Sequence, residues 1–344
     1  MPERLPRKND PASIDARREA LGLDGVVTAA DLAPYLRAAE SVTGTAVLPV
    51  SVAQLLVSLG EYELSEDGEV VETGRRDDEV TVPLAHSEGG LTASLQRGAR
   101  AVELAGGFRT YVVADRITRA SCFVCRDAGD AVGPNMMTRN AYALNMAYVL
   151  PNAPVPIERA LLEANMGGDK KPSFEFFQSG HGKTVIAEAT LTDEALARVL
   201  RTTAADLDAL SWAGTHGAVA SGMQSVAFTP ASAIAAIFAA TGQDLGMVGT
   251  SSMAHGTGRR VEGGLHASIR FPGLEVGTVG GGTTLPTARE WLALLGCEGQ
   301  GKVYRFAQIV AAAALALEIS ASAAMASAGS EHFFRAHFER GGTR

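Results

Sequence analysis

Several short stretches carry side chains suited to polar chemistry. In NMGGDKKPSFEFF, Asn165 to Phe177, two glycines lead into Asp169, Lys170 and Lys171, and Pro172 and a Phe-rich segment follow. An acid and two ammonium groups at a Gly/Pro turn read in two ways. They form either a solvated surface turn or a receptor for developing negative charge, with a lysine kept protonated by flanking carboxylates. The apolar SFEFF brings this turn close to a core, at the mouth of an expected strand. Glu88, in PLAHSEGGLTAS, precedes two glycines and a helix-like run, where an acid complements the helix dipole or delivers a proton. Asp244, in TGQDLG, follows an apolar helix-like run and on its own reads as a turn residue. His337, in EHFFRAHFERGG, lies among Phe333, Phe334 and Phe338, on a surface helix or in a reacting role; His332 reads as structural. His86, His181, His216, His255 and His266 lack metal-ligand spacing, so no metal site is expected.

Two glycine clusters complete the set. GDAVGPNM, Gly129 to Met136, opens a helix whose first amides suit a phosphate. EVGTVGGGTTLP, Glu275 to Pro286, closes a strand and lacks GxGxxG, so it marks a close backbone approach to a ligand or strand rather than a Rossmann fingerprint. The three cysteines are too few for a disulfide framework, and Cys122 and Cys125 read as buried strand thiols rather than half of a zinc site.

The elements that must position these groups follow from pattern. VLPVSVAQLLVSL and EVTVPLAHSEGG alternate as strands around an exposed turn or hairpin, EDGEVVETGRRDDE. LTASLQRGARAVELAGG reads as a helix ended by Gly106 and Gly107. RTYVVADRITRASCFVCRD gives one or two strands, and GDAVGPNMM opens a Met-rich helix. Pro151, Pro154 and Pro156 break the chain before a short expected helix, IERALLEANM. Then come the strand KTVIAEATL, the helix TDEALARVLRTTAADLDAL, the small-residue tract WAGTHGAVASGM and the helix ASAIAAIFAATGQD. A strand pair is expected in GLHASIRFPGLEVGTVGGGT. The order predicts an α+β fold rather than a doubly wound sheet. Ile309 to Ser327 is long enough to cross a membrane, but it is mostly alanine with Glu318 in mid-run, so a packed internal helix is expected. A net charge of -8 over 344 residues and a pI near 5.5 exclude a general nucleic-acid binder. MPERLPRKND has no apolar signal region, which predicts a cytoplasmic location.

Taken in order, PLAHSEGGLTASLQRGARAV, GDAVGPNM, GGDKKPS, TGQDLG, LEVGTVGGGTTLP and RAHFERGG resemble the 3-hydroxy-3-methylglutaryl-CoA (HMG-CoA) reductase family, from about Glu40 in ESVTG to about Arg340. The resemblance implies a helical segment at 1–40 and a large domain around a central helix at 41–119 and 166–325. It also implies a truncated ferredoxin-like nucleotide domain inserted at 120–165 and a C-terminal flap at 326–344. It further implies reduction of an acyl-CoA thioester to an alcohol by two hydrides from NADPH or NADH, in a homodimer with shared sites and with coenzyme A arriving as part of the substrate. In this reading Glu88 protonates the carbonyl or aldehyde oxygen, Lys170 stabilises the oxyanion, Asp244 contacts both, and His337 protonates the departing thiolate. Arg119, Asp169, Lys171, Ser94 and Arg97 become substrate contacts. Asp130, Gly133, Asn135, Met136, Gly280 and Gly281 become nucleotide contacts.

The chain also departs from the family. Only nine residues, Ala120 to Ala128, separate Arg119 from GDAVGPNM, where the family has about half of its small domain. Ser232 stands in place of an asparagine, Glu163 in place of a substrate-binding serine, and Arg340-Gly341-Gly342 in place of His-Asn-Arg. The choice of cofactor and acyl group stays open. So does an alternative: a lyase, hydrolase or acyl-CoA-binding protein on the same scaffold that has lost hydride transfer.

Overall fold

A computed structural model describes residues 10–21, 32, 33, 36, 42–116, 119–120, 123–124, 129–162 and 170–327. After helix α1 (Pro11–Leu21), the long strands β1 (Val50–Leu64) and β2 (Val70–Ala85) form a hairpin, registered from Val50 opposite Ala85 to Leu64 opposite Val70. Ser65 organises its turn, accepting at Oγ from the Glu69 N–H, while Gly68 takes φ 77. Alternation along β1 sends Ala53, Leu55, Val57 and Leu59 into the core, as a two-residue period requires. Helix α2 (Leu91–Glu103) ends in a turn through Gly106 and Gly107, both at positive φ, and leads into β3 (Phe108–Arg116).

The short pair β4 (Arg119–Ala120) and β5 (Phe123–Val124) precedes α3 (Pro134–Leu144), which runs through a π-helical turn into α4 (Leu150–Asn152). Helix α5 (Phe174–Ser179) leads into β6 (Gly182–Thr192), and α6 (Asp193–Ala195) continues through a π-turn to Leu200. Helices α7 (Ala204–Ala220), α8 (Pro230–Thr241) and α9 (Val248–Ser251) come before β7 (His255–Val261) and β8 (Gly264–Leu274). Helices α10 (Pro286–Leu294) and α11 (Val303–Ala326) close the described chain.

Six strands form one mixed sheet in the order β2-β1-β3-β6-β8-β7; β1 and β3 are parallel and the other neighbours antiparallel. Helix α11 lies against β1, β3, β6 and β8 and is flanked by α2, α7 and α8. It is the long internal helix expected from composition. Ala311, Ala312, Ala313, Ala314 and Ala316 have no solvent exposure, because methyl side chains let neighbours approach its backbone from every side. Gly98 of α2 makes the closest approach: a Cβ there would run into the Ala316 carbonyl. Gln308, fully buried, bonds the Gly60 N–H and C=O and the Thr110 hydroxyl, so one amide stitches the helix to β1 and β3.

Four local expectations are corrected. SFEFF is helical rather than a strand mouth, because the Ser173 hydroxyl accepts from the Phe176 N–H and caps α5. The described part of IERALLEANM, residues 157–162, is not helical; its side chains are exposed, and a short helix with no face to bury is marginal. WAGTHGAVA lies within α7, and the strand partner of β8 is HGTGRRV rather than the glycine-rich segment.

Candidate active site

Helix α8 ends where Gly242 turns left-handed (φ 68), at a point where a Cβ would strike the Gly282 carbonyl. Asp244 follows. One of its oxygens caps the next turn, accepting from the Gly246 N–H at 2.9 Å, and the other lies 2.7 Å from Lys170 Nζ. Gly246 leaves room for the lysine, since a Cβ there would come within 3.0 Å of Lys170 Cδ. Lys170 itself holds φ 57, a left-handed conformation that among the described non-glycine residues recurs only at Arg201. Such a backbone costs about 1 kcal/mol and persists where its surroundings impose it. Two turns 74 positions apart in sequence thus present an ammonium and a carboxylate side by side at the surface of the chain.

Glu88 is not part of this cluster within one chain. It is exposed and precedes Gly90, the left-handed residue (φ 83) from which α2 starts. In the first turns of α2, Ser94 Oγ meets Ser320 Oγ at 2.9 Å, and Arg97 bonds both the hydroxyl and the carbonyl of Ser320. Ser94 and Arg97 therefore fasten α2 to the C-terminal end of α11. The Asp244 turn belongs to the other end. Gln243 Oε1 accepts from the Gly277 N–H, Gly277 packs on Asp130, and the Asp130 carboxylate accepts from the Gly301, Lys302 and Val303 amides at the start of α11. Helix α8 agrees: Thr229, just before it, bonds Glu318 at 2.9 Å, and the helix runs back from there toward the start of α11.

The two glycine loops meet at that end. Gly277 abuts the backbone of Asp130 and Val132, and the Thr278 N–H donates to the Asp130 carbonyl. The expected close backbone approach is therefore made to the GDAVGPNM loop. Asp130 holds it there, with a carboxylate engaged in capping. Gly133 (φ 101) starts α3 without a side-chain cap, and Asn135 and Met136 are exposed on its first turn. Gly280 and Gly281 face open space. Beneath the loop a buried Lys183 donates to the Gly129 carbonyl and lies 3.4 Å from Asp115, which also accepts from the Tyr304 hydroxyl.

Lys171 is exposed next to Lys170. The backbone of Arg119 pairs with Val124. Asp169, Glu163, His337, Cys122 and Cys125 lie outside the described residues. Gln243 and Glu275 escaped the sequence reading. For Glu275 a signal existed: a carboxylate set between Leu274 and Val276 in an apolar strand end.

A cavity of about 460 Å³ opens between α7, β7, β8 and the C-terminal half of α11, near the end where α2 begins. Among the described residues lining it there is no lysine, arginine or histidine. Its wall includes Glu318, whose carboxylate accepts from the Phe228 and Thr229 amides and the Thr229 hydroxyl; burial nevertheless raises its pKa.

The family model described as hydroxymethylglutaryl-coenzyme A reductase matches residues 27–129 and 124–341. The 3-hydroxy-3-methylglutaryl-coenzyme A reductase of Aeropyrum pernix is 34% identical over an alignment of 349 positions, gaps included, that covers 85% of this chain and 79% of that protein. The Halobacterium salinarum protein of the same name is 32% identical over 84% of this chain and 82% of its own length. Among solved structures, the class II 3-hydroxy-3-methylglutaryl-CoA reductase from Streptococcus pneumoniae bound to NADPH matches with a TM-score of 0.63. It covers 92% of this chain and 94% of that one at 17% identity, a likeness of fold.

Proposed function

Because the chain belongs to the hydroxymethylglutaryl-CoA reductase family, we propose that it is an oxidoreductase that reduces HMG-CoA or a related acyl-CoA thioester to the alcohol, with NADPH or NADH as reductant. The observation that carries this reading is the Lys170–Asp244 pair, an ammonium fixed at 2.7 Å from its carboxylate on a strained turn. In this reading Lys170 Nζ donates to the substrate carbonyl oxygen as that oxygen gains charge. Glu88 delivers protons to the same oxygen, and His337 protonates the departing coenzyme A thiolate. Each molecule of thioester takes up two hydrides and two protons and yields one alcohol and one thiol.

Glu88 and Lys170 lie toward opposite ends of α11 in one chain, so the proposed enzyme is a homodimer in which Glu88 of one copy faces Lys170 of the other. The half-exposed state of the ion pair supports this, since a charge-stabilising site gains strength when water is excluded from it. Nucleotide fits the region where the glycine loops meet. The uncapped start of α3 offers the amides of Gly133, Asn135 and Met136, though none at Pro134, to a diphosphate, and Gly280 and Gly281 leave their backbone open to a ligand. Bound there, the nicotinamide nucleotide supplies the hydrides. Asp130 shapes this region through its cap on α11. Arg119, at the end of the large-domain segment before the small insert at 120–165, and Asp169 and Lys171, in the turn after it, are assigned to the acyl carboxylate or the coenzyme A. The proposed enzyme works in the cytoplasm; its long apolar helix is accounted for by the core.

A second reading, an acyl-thioester lyase, hydrolase or binding protein without hydride transfer, is favoured by the brevity of the insert, where the described strands β4 and β5 have two residues each. Absorbance at 340 nm with HMG-CoA and either nucleotide separates the two. Oxidation of one nucleotide supports the reductase. If neither is oxidised and neither shifts the melting temperature, the second reading stands.

A further inference from the structure

The Lys170–Asp244 pair cannot hold itself in place. In the single chain its side chains are 44% and 43% exposed, a setting in which an ion pair contributes about 0–1 kcal/mol, and one partner sits on a strained backbone. Its geometry must be imposed by the structure behind it. There Glu275, 1% exposed, stands at the end of β8. One carboxylate oxygen lies at an ion-pair distance of 2.7 Å from His181 Nδ1, without hydrogen-bond geometry, and the other accepts from the Thr250 hydroxyl, while the Glu275 N–H donates to Ser251 Oγ at 3.1 Å.

The two sides of this contact lead to the two halves of the pair. His181 follows α5, which begins at the Ser173 cap three residues after Lys170, and the Phe176 ring meets the His181 ring edge-on at 6.1 Å. Gly273 is the spacer: a Cβ there would run into the His181 backbone and the Phe176 ring. On the other side, Thr250 and Ser251 lie on α9, directly after the turn that Asp244 caps. Thr250 Oγ1 is 3.2 Å from the Met247 carbonyl, and the Met247 N–H donates to the Asp244 carbonyl at 3.0 Å. The geometry points to Glu275 as a positioning residue that, through its two carboxylate oxygens, joins the Lys170 turn to the Asp244 turn and sets the ammonium for its work. This rests on Lys170 as the oxyanion donor. Water competes poorly for a carboxylate buried to this degree, so the Thr250 hydrogen bond is better shielded than the surface pair it supports.

The test uses Glu275→Gln, with Thr250→Val and Thr250→Ser as a second pair that removes or keeps the hydroxyl. The first readout needs no turnover: labelling of Lys170 by an amine-reactive reagent at fixed pH, measured by mass spectrometry against the exposed Lys302 of the same chain. An amine released from its carboxylate reacts faster, so Glu275→Gln and Thr250→Val should raise the Lys170/Lys302 ratio at least about threefold. Thr250→Ser should match the parent protein. In the reductase assay the first two variants should lose about tenfold or more in kcat with little change in KM, the signature of a displaced group rather than a lost contact. A labelling ratio unchanged in both variants, with only melting temperature lowered, would overturn the proposal. Should the parent protein show no reductase turnover while the ratio still rises, the functional reading fails and the positioning role stands.

Discussion

Neither Glu88→Gln nor Lys170→Ala should support turnover alone, and the two should restore each other when mixed. The reason is a length. Ser94, six residues after Glu88, touches α11 at Ser320, whereas the Asp244 turn is tied through Gly277 and Asp130 to its start at Val303. Seventeen residues of helix at 1.5 Å each put about 25 Å of axis between those attachment points. In the proposed mechanism a proton donor has to come within about 3 Å of the oxygen assigned to Lys170, and the two side chains together reach only about half of that gap. In the proposed enzyme the site therefore combines Glu88 from one copy with Lys170 from the other. In a mixed dimer one site receives both intact groups and the other receives neither. Random reassembly makes half the dimers mixed, so the recovered rate should be about a quarter of the parent rate. Co-expression with two different affinity tags isolates the mixed species, which should run at about half the parent rate per dimer. The assay is nucleotide oxidation at 340 nm with acyl-CoA in excess. If purified mixed dimers are no more active than the two parents, Glu88 and Lys170 serve the same copy and the shared-site argument fails.

Three further outcomes are expected. Gly98→Ala forces a methyl against the Ala316 carbonyl; after the gain in helix propensity it should destabilise by about 2 kcal/mol, read as a melting temperature several degrees lower. Glu318 has a pKa raised above its ordinary value of 4.5 by burial, so the folded protein binds a proton there that the unfolded chain has released. Stability should consequently fall as pH rises through and above 4.5, and Glu318→Gln should flatten that fall in denaturation midpoints measured across pH. Burial pushes the Cys297 thiol up to about 12, so it should resist thiol reagents at pH 8 in the native protein and react only on unfolding, which a timed labelling experiment would show.

Much of the fold is legible in the sequence because its patterns are local. The alternation in VLPVSVAQLLVSL gave a strand, GG at 106–107 marked a helix end, and the alanine content of the last helix identified an internal rod. The acidic partner of Lys170 was also identifiable, through the resemblance of GGDKKPS and TGQDLG to a known family. What could not be read depends on groups far apart in the chain. Asp130 looks like a loop acid in GDAVGPNM, and only the fold brings it to the amides of Val303. His181 and Glu275 are 94 positions apart and neither carries a recognisable spacing, so their pairing appears only once β6 and β8 are in register. The Glu88–Lys170 separation is of the same kind: sequence order shows that both groups exist but says nothing of the rod between them. SFEFF was misjudged because a hydroxyl at Ser173, rather than hydrophobic pattern, decides its conformation.

Alanine has no rotamers to exchange. A shaft whose alanines at 311–314 and 316 have no exposure therefore offers little that can repack when a ligand arrives. Such a shaft answers a push by moving as a whole or staying still. In the proposed enzyme, accommodation of substrate and nucleotide falls instead to the rim of the protein, to glycine loops and turns whose adjustments leave the distance between the two ends of the helix unaltered. Successive steps of the reaction would then share one fixed frame, with movement confined to the parts that handle the incoming and departing molecules.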